Sequence, residues 1–218
     1  MAQVIRRDII TLTCEFLETW LHQILYRCEL YPKAIFKQQK KFQMPVYIAL
    51  HPEVRDYIAN FVQSCQPLLE KVLVVGDVKF IALTVLQDAD TPTEKFVLEI
   101  RSLLHSVDIP VDVILESGST FTLADLEQHL RACLLKMVTY QPSNKLDTED
   151  RTFFLSVEKI HGGLPQQVKD NGVAIDWIPA ETRCHWKTIK PLKSVELDLL
   201  GFNTFVMEAS RKGKERCP

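Results

Sequence analysis

Apolar residues recur every three or four positions from the start of the chain. Ile5, Ile9, Leu12, Phe16, Trp20 and Ile24 form one stripe, and Ile10, Cys14, Leu17, Leu21, Leu25 and Cys28 form a second beside it. Two adjacent stripes make a wide apolar face, which predicts a helix packed deep in a core. Pro32 is expected to end it, because the residue before proline is pushed out of the helical region. Lys33–Met44 is polar, with Lys33, Lys37, Lys40 and Lys41, and reads as a loop. His51-Pro52-Glu53 opens a second helix with proline in the first turn, where its missing N–H is no loss. Val54, Ile58, Phe61, Val62 and Cys65 give that helix its buried face, and Pro67 is expected to kink or restart it.

From Lys71 the period changes to two. Val72–Val75 and Lys79–Leu86 read as strands, Gln87–Thr93 as a turn through Asp88, Asp90 and Pro92, and Glu94–Ile100 as the returning strand. Arg101–Thr120 has no period and contains Pro110 and Gly118, so it reads as an extended loop or insertion. Thr122 and Asp125 match a capping box with aspartate in place of glutamate. The third helix follows, with Leu123, Leu126, Leu130, Cys133, Leu134 and Met137 inward. After the polar connector Gln141–Asp150, Thr152–Lys159 is a strand. His161–Lys190 carries five glycines and prolines together with Trp177 and Trp186 and shows no sustained period. A disordered linker avoids tryptophan, and loops this long inside a compact domain are functional or disordered; the segment reads as an arm that wraps over something. Leu192–Leu200 and Phe202–Met207 close the pattern as strands with a bend at Gly201, and Arg211–Pro218 is a basic tail expected to be mobile. Helices and strands come grouped rather than alternating. That order predicts an α+β domain, an antiparallel sheet with helices on one face.

Composition narrows the function classes. A chain of 218 residues with 46% hydrophobic and 25% charged residues can build a large core and stay in water. Its formal net charge of -2 argues against a nonspecific nucleic-acid binder. Met1–Asp8 shows no targeting signal, and no apolar run is long enough to span a membrane. Cys14, Cys28, Cys65, Cys133, Cys184 and Cys217 are scattered, with no Cys-x-x-Cys pair. They read as reduced thiols of a cytosolic or nuclear protein.

Motifs that carry chemistry are missing. There is no phosphate loop, dinucleotide fingerprint, His-Glu-x-x-His or Gly-x-Ser-x-Gly. No metal or cofactor is expected, since the histidines show no ligand spacing. Cys184-His185 is the nearest approach to a nucleophile and base, but adjacent residues rarely face each other and a third group must orient the base. Asp88 and Asp90 resemble a metal pair and equally a turn, the commoner use of aspartate. The lysines of the first loop read as solvated surface or as contacts to an acidic partner.

Specific residues then carry a resemblance. Cys14-Glu15-Phe16-Leu17-Glu18, Ile24-Leu25-Tyr26, Tyr31-Pro32, Ile35-Phe36, His51-Pro52-Glu53, Tyr57-Ile58 and Pro67-Leu68-Leu69-Glu70-Lys71 begin the series. Glu94-Lys95-Phe96-Val97, Glu99-Ile100, Leu130-Arg131-Ala132, Leu135-Lys136, Trp177-Ile178 and Pro191-Leu192-Lys193 continue it in order. Together they resemble the HORMA-domain adapter subunit of translesion DNA polymerase zeta, the mitotic-arrest-deficient-like protein B family, over nearly the whole chain. The resemblance implies a single HORMA domain over residues 1–208, with a core to about residue 160, a safety belt over 161–208 and a flexible tail over 209–218. It implies that the belt closes on a partner peptide added as a strand to an edge expected at Thr152–Ile160.

By residue, the resemblance puts Tyr57 and Trp177 on the proline-containing peptide of the polymerase zeta catalytic subunit. Ile189, Asn203 and Phe205 fall on the surface for the C-terminal domain of a deoxycytidyl-transferase scaffold polymerase, where the family usually has leucine, glutamine and tyrosine. Arg131 falls on a HORMA–HORMA dimer position, and Gln38 stands where the family often has lysine. The implied protein is a nuclear, non-catalytic adapter in DNA damage bypass, also found in the cytoplasm, that binds neither nucleic acid nor membrane directly. A hexameric ATPase remodeller is a further partner the resemblance allows. Two alternatives stay open: a spindle-checkpoint or DNA-end-protection adapter clamping other peptides, and a small cysteine hydrolase using Cys184 and His185.

Overall fold

The computed structural model describes residues 6–75, 78–88, 90–102, 122–142, 151–159, 185–197 and 200–209. The first helix, α1 (Arg6–Arg27), buries both of its apolar stripes: Phe16, Leu17, Trp20, Leu21, Ile24 and Leu25 are wholly enclosed. It can be central because its polar side chains bond within the fold. The Thr13 and Thr19 hydroxyls donate to the carbonyls of Ile9 and Glu15, both at 2.8 Å, and the Gln23 amide donates to the Tyr47 carbonyl at 3.0 Å. The helix stops before Pro32 acts on it. Glu29 adopts φ 52°, Leu30 N–H donates to Leu25 O at 3.2 Å, and Glu29 N–H donates to Tyr26 O at 3.3 Å. That is a left-handed Schellman cap, and Pro32 instead leads into a short 3-10 turn, Lys33–Ile35.

The segment expected as a polar loop is a hairpin. Strands β1 (Phe36–Lys41) and β2 (Met44–Ala49) pair antiparallel from Phe36 opposite Ala49 to Lys41 opposite Met44. Their two-residue turn has positive φ at both Phe42 (48°) and Gln43 (55°), the mark of a type I′ turn, normally signalled by Asn-Gly. Phe42 accepts that conformation while its ring is buried edge-on to Phe16, with centroids 6.2 Å apart. β1 shows four exposed polar residues in a row, so no alternation announces it.

Helix α2 (Pro52–Val75) also corrects the sequence reading. It continues through Pro67, and Val72–Val75, expected as a strand, are its last turn. Proline at this position removes the hydrogen bond to the Gln63 carbonyl, and Gln63 lies on the exposed side, where water can replace it. A short apolar run is compatible with either structure, so its period could not decide.

Strands β3 (Val78–Gln87) and β4 (Thr91–Ser102) form the expected hairpin, so Arg101 and Ser102 end a strand rather than begin a loop. Asp88, at φ 52°, makes its turn. Residues 103–121, most of the expected insertion, lie outside the described residues. Helix α3 (Leu123–Thr139) carries the full capping box. Asp125 N–H donates to Thr122 Oγ1, and Thr122 N–H donates to Asp125 Oδ2, each at 3.1 Å. Leu126, Leu130, Cys133, Leu134 and Met137 are buried as expected, and Leu123 is half-buried.

Strands β5 (Arg151–Lys159), β6 (Trp186–Glu196) and β7 (Leu200–Ala209) complete an antiparallel sheet in the order β5-β3-β4-β7-β6. β6 starts at Trp186, inside the segment expected to have no regular structure. Gly201 is no bend: it pairs with Arg101 inside β7, and the reversal lies just before it, where Leu197 N–H donates to Leu200 O at 2.8 Å. Pro191 is tolerated in β6 because β6 is an edge strand with a bulge at Pro191/Lys193. Ile81, Leu83, Val85, Phe96, Leu98, Phe202 and Val206 face the helices and form one core with them. The fold is α+β, with three described α-helices on the inner face of the five-stranded sheet.

Candidate functional site

β5 pairs with β3 on one side and with no other strand among the described residues, so it is an edge, as Thr152–Ile160 was expected to be. The opposite edge of the original hairpin, β4, is taken by β7 from Glu94 opposite Glu208 to Ser102 opposite Leu200. The chain therefore leaves the sheet at Lys159 on one edge and rejoins it at Trp186, the first residue of the strand forming the other edge. The first half of the expected belt, 161–184, lies outside the described residues, and Trp177 lies there with it, as does the basic tail from residue 210.

A cleft of about 330 Å³ opens beside β5. One wall is Tyr31, Pro32 and Ile35, just past the end of α1; the second is His51, Glu53, Val54 and Tyr57 at the start of α2; the floor is Thr152 and Phe153 of β5. Tyr57 is 47% exposed although it is large and apolar. Its ring meets Phe153 at 5.8 Å and 70°, and Tyr31 meets Phe153 at 6.3 Å and 83°. Burial, then the nearby Tyr57 and Glu53, push the Tyr31 phenol above its usual range, so it stays a neutral donor. Rigid aromatic surface next to an unpaired strand edge is what an extended peptide needs. The backbone supplies ladder bonds and the rings supply anchors.

A buried polar clasp ties the end of α1, beside the first wall, to the start of the floor strand β5. Arg151, first residue of β5, donates from Nη1 to Cys28 O at 2.8 Å and sets Nη2 3.8 Å from Glu94 Oε2. Tyr140 donates its hydroxyl to Glu94 Oε1 at 3.2 Å, and Arg27 donates from Nε and Nη2 to Tyr140 O at 3.0 and 2.6 Å. Burial, then Glu94, raise the Tyr140 phenol well above its normal range. The C-terminal ends of α1 and α3 thus converge on the start of the edge strand. The sequence reading passed over Glu94, Tyr140 and Arg151. A signal existed: Glu94 shares strand parity with Phe96, Leu98 and Ile100, so an acid faced inward and required a buried cation.

The three residues expected to meet a scaffold polymerase, Ile189, Asn203 and Phe205, lie on the outer face of the sheet. Asn203 and Phe205 alternate along β7, and Ile189 of β6 stands opposite Met207, which has the same parity. Ile189 is 61% exposed, while Asn203 and Phe205 are half-buried; the Asn203 amide donates to Glu99 Oε2 at 3.1 Å. Arg131 is half-exposed on α3 and Gln38 exposed on β1, away from the cleft residues. His185 is exposed just before β6, and Cys184 lies outside the described residues. The described thiols are not activated: burial raises Cys14 to about 11 and Cys133 to about 12. Among the described residues no group of three potential metal ligands converges.

No family model matches the sequence. It is 32% identical over 204 residues, 92% of this chain and 90% of the relative, to the human protein named mitotic spindle assembly checkpoint protein MAD2B. Proteins named DNA polymerase zeta processivity subunit are 28% identical over 152 residues in Schizosaccharomyces pombe (70% of this chain and 68% of the relative) and 27% over 200 in Arabidopsis thaliana (90% and 84%). Among solved structures, one chain of the mitotic checkpoint complex superposes with TM-score 0.64 at 18% identity, covering 93% of this chain and 99% of that one. C. elegans HTP-1 bound to HTP-3 motif-1 gives TM-score 0.65 at 9% identity, covering 91% and 89%. These likenesses show the fold.

Proposed function

This chain belongs to the family of MAD2B and the DNA polymerase zeta processivity subunits, HORMA-domain adapters, and we propose that it clamps an extended, proline-containing peptide of the polymerase zeta catalytic subunit against β5. The observation that carries this reading is the edge of β5, unpaired among the described residues, lying beside the Tyr31–Tyr57–Phe153 cleft, with the opposite edge filled by β7 and β6. A peptide strand on β5 gains main-chain bonds to one partner and sinks alternate side chains toward the rings. Trp177, on the belt, is the second anchor. C. elegans HTP-1 and HTP-2, which share the fold, are described as bound to closure motifs, which supports a peptide as occupant.

The exposed patch of Ile189, Asn203 and Phe205 then receives the scaffold polymerase, so that one nuclear adapter joins two polymerases in DNA damage bypass. Arg131 serves a HORMA dimer. The checkpoint name of the human relative favours one alternative, the same clamp on a checkpoint peptide.

Calorimetric titration with proline-containing peptides of the catalytic subunit tests this. The parent is expected to bind, and Tyr57→Ala and Trp177→Ala are each expected to weaken binding by about thirtyfold, the loss of about 2 kcal/mol typical of an interface anchor. Circular dichroism should show both variants folded. A folded parent that binds none of these peptides overturns the polymerase reading; binding of checkpoint peptides alone establishes the alternative.

A further inference from the structure

The outer face of the sheet holds a second pocket. Pairing lines up Phe154, Thr84, Lys95, Met207 and Ile189 across the five strands. At the β5 end of this row, Thr84, Lys95, Phe154, Ser156 and Glu158 enclose a hollow of about 180 Å³ with Trp186. Trp186 is the first residue of the far edge strand, so its place here puts the entry to β6 above this face.

The pocket holds a lysine that forms no ion pair among the described residues. Lys95 is half-buried, its ammonium 4.6 Å from the centroid of the Phe80 ring, and among the described residues it has no hydrogen bond or ion pair. Burial lowers its pKa, and the opposing pull of the nearby Glu158 does not make up the loss. Lys79 and Glu158 neutralise each other at 2.9 Å, so the three ionic groups together leave one positive charge. Thr84 and Ser156 line the same hollow.

Alternation connects this pocket to the peptide edge. Phe153, Leu155 and Val157 of β5 pack toward the helices, while Phe154, Ser156 and Glu158 point to the outer face. A strand added to β5 follows the same period of two. Side chains that do not enter the aromatic cleft are turned to the outer pocket.

We propose that the outer pocket reads the same bound strand a second time, taking an anionic side chain, a carboxylate or a phosphorylated hydroxyl, onto Lys95. The inference rests on the strand-addition reading above. Lys95 supplies the charge, Thr84 and Ser156 donate hydroxyl hydrogen bonds, and Trp186 closes one wall.

The experiment measures fluorescence anisotropy with the proline-containing peptide used for the titration, placing Ala, Asp or phosphoserine in turn at each non-proline position. The readout is the ratio of dissociation constants, Ala over acid, in the parent, Lys95→Gln and Lys79→Gln proteins. The expected ratio is about ten in the parent, the strength of a hydrogen bond to a charged group, confined to positions of one parity. It should fall to about one in Lys95→Gln and only in part in Lys79→Gln, where Glu158 loses its partner but Lys95 remains. A gain with phosphoserine alone supports the pocket and identifies phosphate as its anion; a gain with Asp as well identifies any anion. Tight binding by the Ala peptides with no acid gain, or a gain that survives Lys95→Gln, overturns the second pocket and leaves the clamp standing. No binding by any peptide overturns both.

Discussion

His22 shows what burial does to a single ionisable side chain. It is wholly buried in α1, and neither ring nitrogen has a hydrogen-bond partner among the described residues. Burial lowers its pKa from 6.5 to about 4 because the charged form has lost its water. The unfolded chain therefore takes up the proton first. The contribution to stability is complete above pH 6.5, falls as pH drops through the window, and is gone below about pH 4. Urea unfolding at pH 7 and pH 4 should show the parent losing about 3 kcal/mol more than His22→Leu, whose side chain cannot charge. Equal losses in the two proteins would mean that His22 finds a partner or reaches water. Glu94 presents the opposite case. It too is fully enclosed, but Tyr140 and Arg151 answer its charge, and breaking such a pair from one side strands a buried charge.

Among the elements, α3 is specified locally and the first hairpin is not. The α3 cap lies within four residues, Thr122 to Asp125, and was legible because a capping box needs only adjacent chemistry. Thr122→Ala should lower stability by about 1 kcal/mol, shifting the urea midpoint with no change in slope. Asp125→Ala removes the other bond of the box, and the two substitutions share the bond from Thr122 Oγ1 to Asp125 Oδ2 at 2.6 Å, so the double variant should lose less than the sum; strict additivity would show that the box is not a unit. The β1–β2 hairpin depends on burial of Phe42 against Phe16, a residue of α1. Nothing in Phe42-Gln43 itself announces a left-handed turn. Pro67 fails as a helix breaker for a similar reason: its consequence depends on whether the orphaned carbonyl faces water.

At the scale of the whole molecule, the β6–β7 hairpin packs on β4 through the buried Phe202, Thr204 and Val206. If the belt encloses the peptide, release requires this hairpin to detach, so dissociation should be slow and set by its packing. Phe202→Leu, a loss of about 1.4 kcal/mol in a core position, should raise the peptide off-rate about tenfold with little change in on-rate. Biolayer interferometry reads both rates directly. An off-rate indifferent to Phe202→Leu would show that the peptide leaves past a closed hairpin.

The sequence by itself determined the α+β class, the three helices, the β3–β4 hairpin and the inward residues of α3, since each follows from spacing along a few neighbouring residues. The family resemblance in collinear motifs was legible for the same reason; the structure places Tyr57 in the cleft and Ile189, Asn203 and Phe205 on the outer face, and their binding roles are proposals. Tertiary structure decided the rest. Which strand is left as an edge depends on where β7 docks, far along the chain from β3 and β4. The clasp of Arg27, Glu94, Tyr140 and Arg151 and the pocket of Lys95 with Trp186 unite groups from distant segments. Periodicity reports which face of an element is buried. It carries no information about what lies opposite, and charge pairing and clefts are properties of what lies opposite.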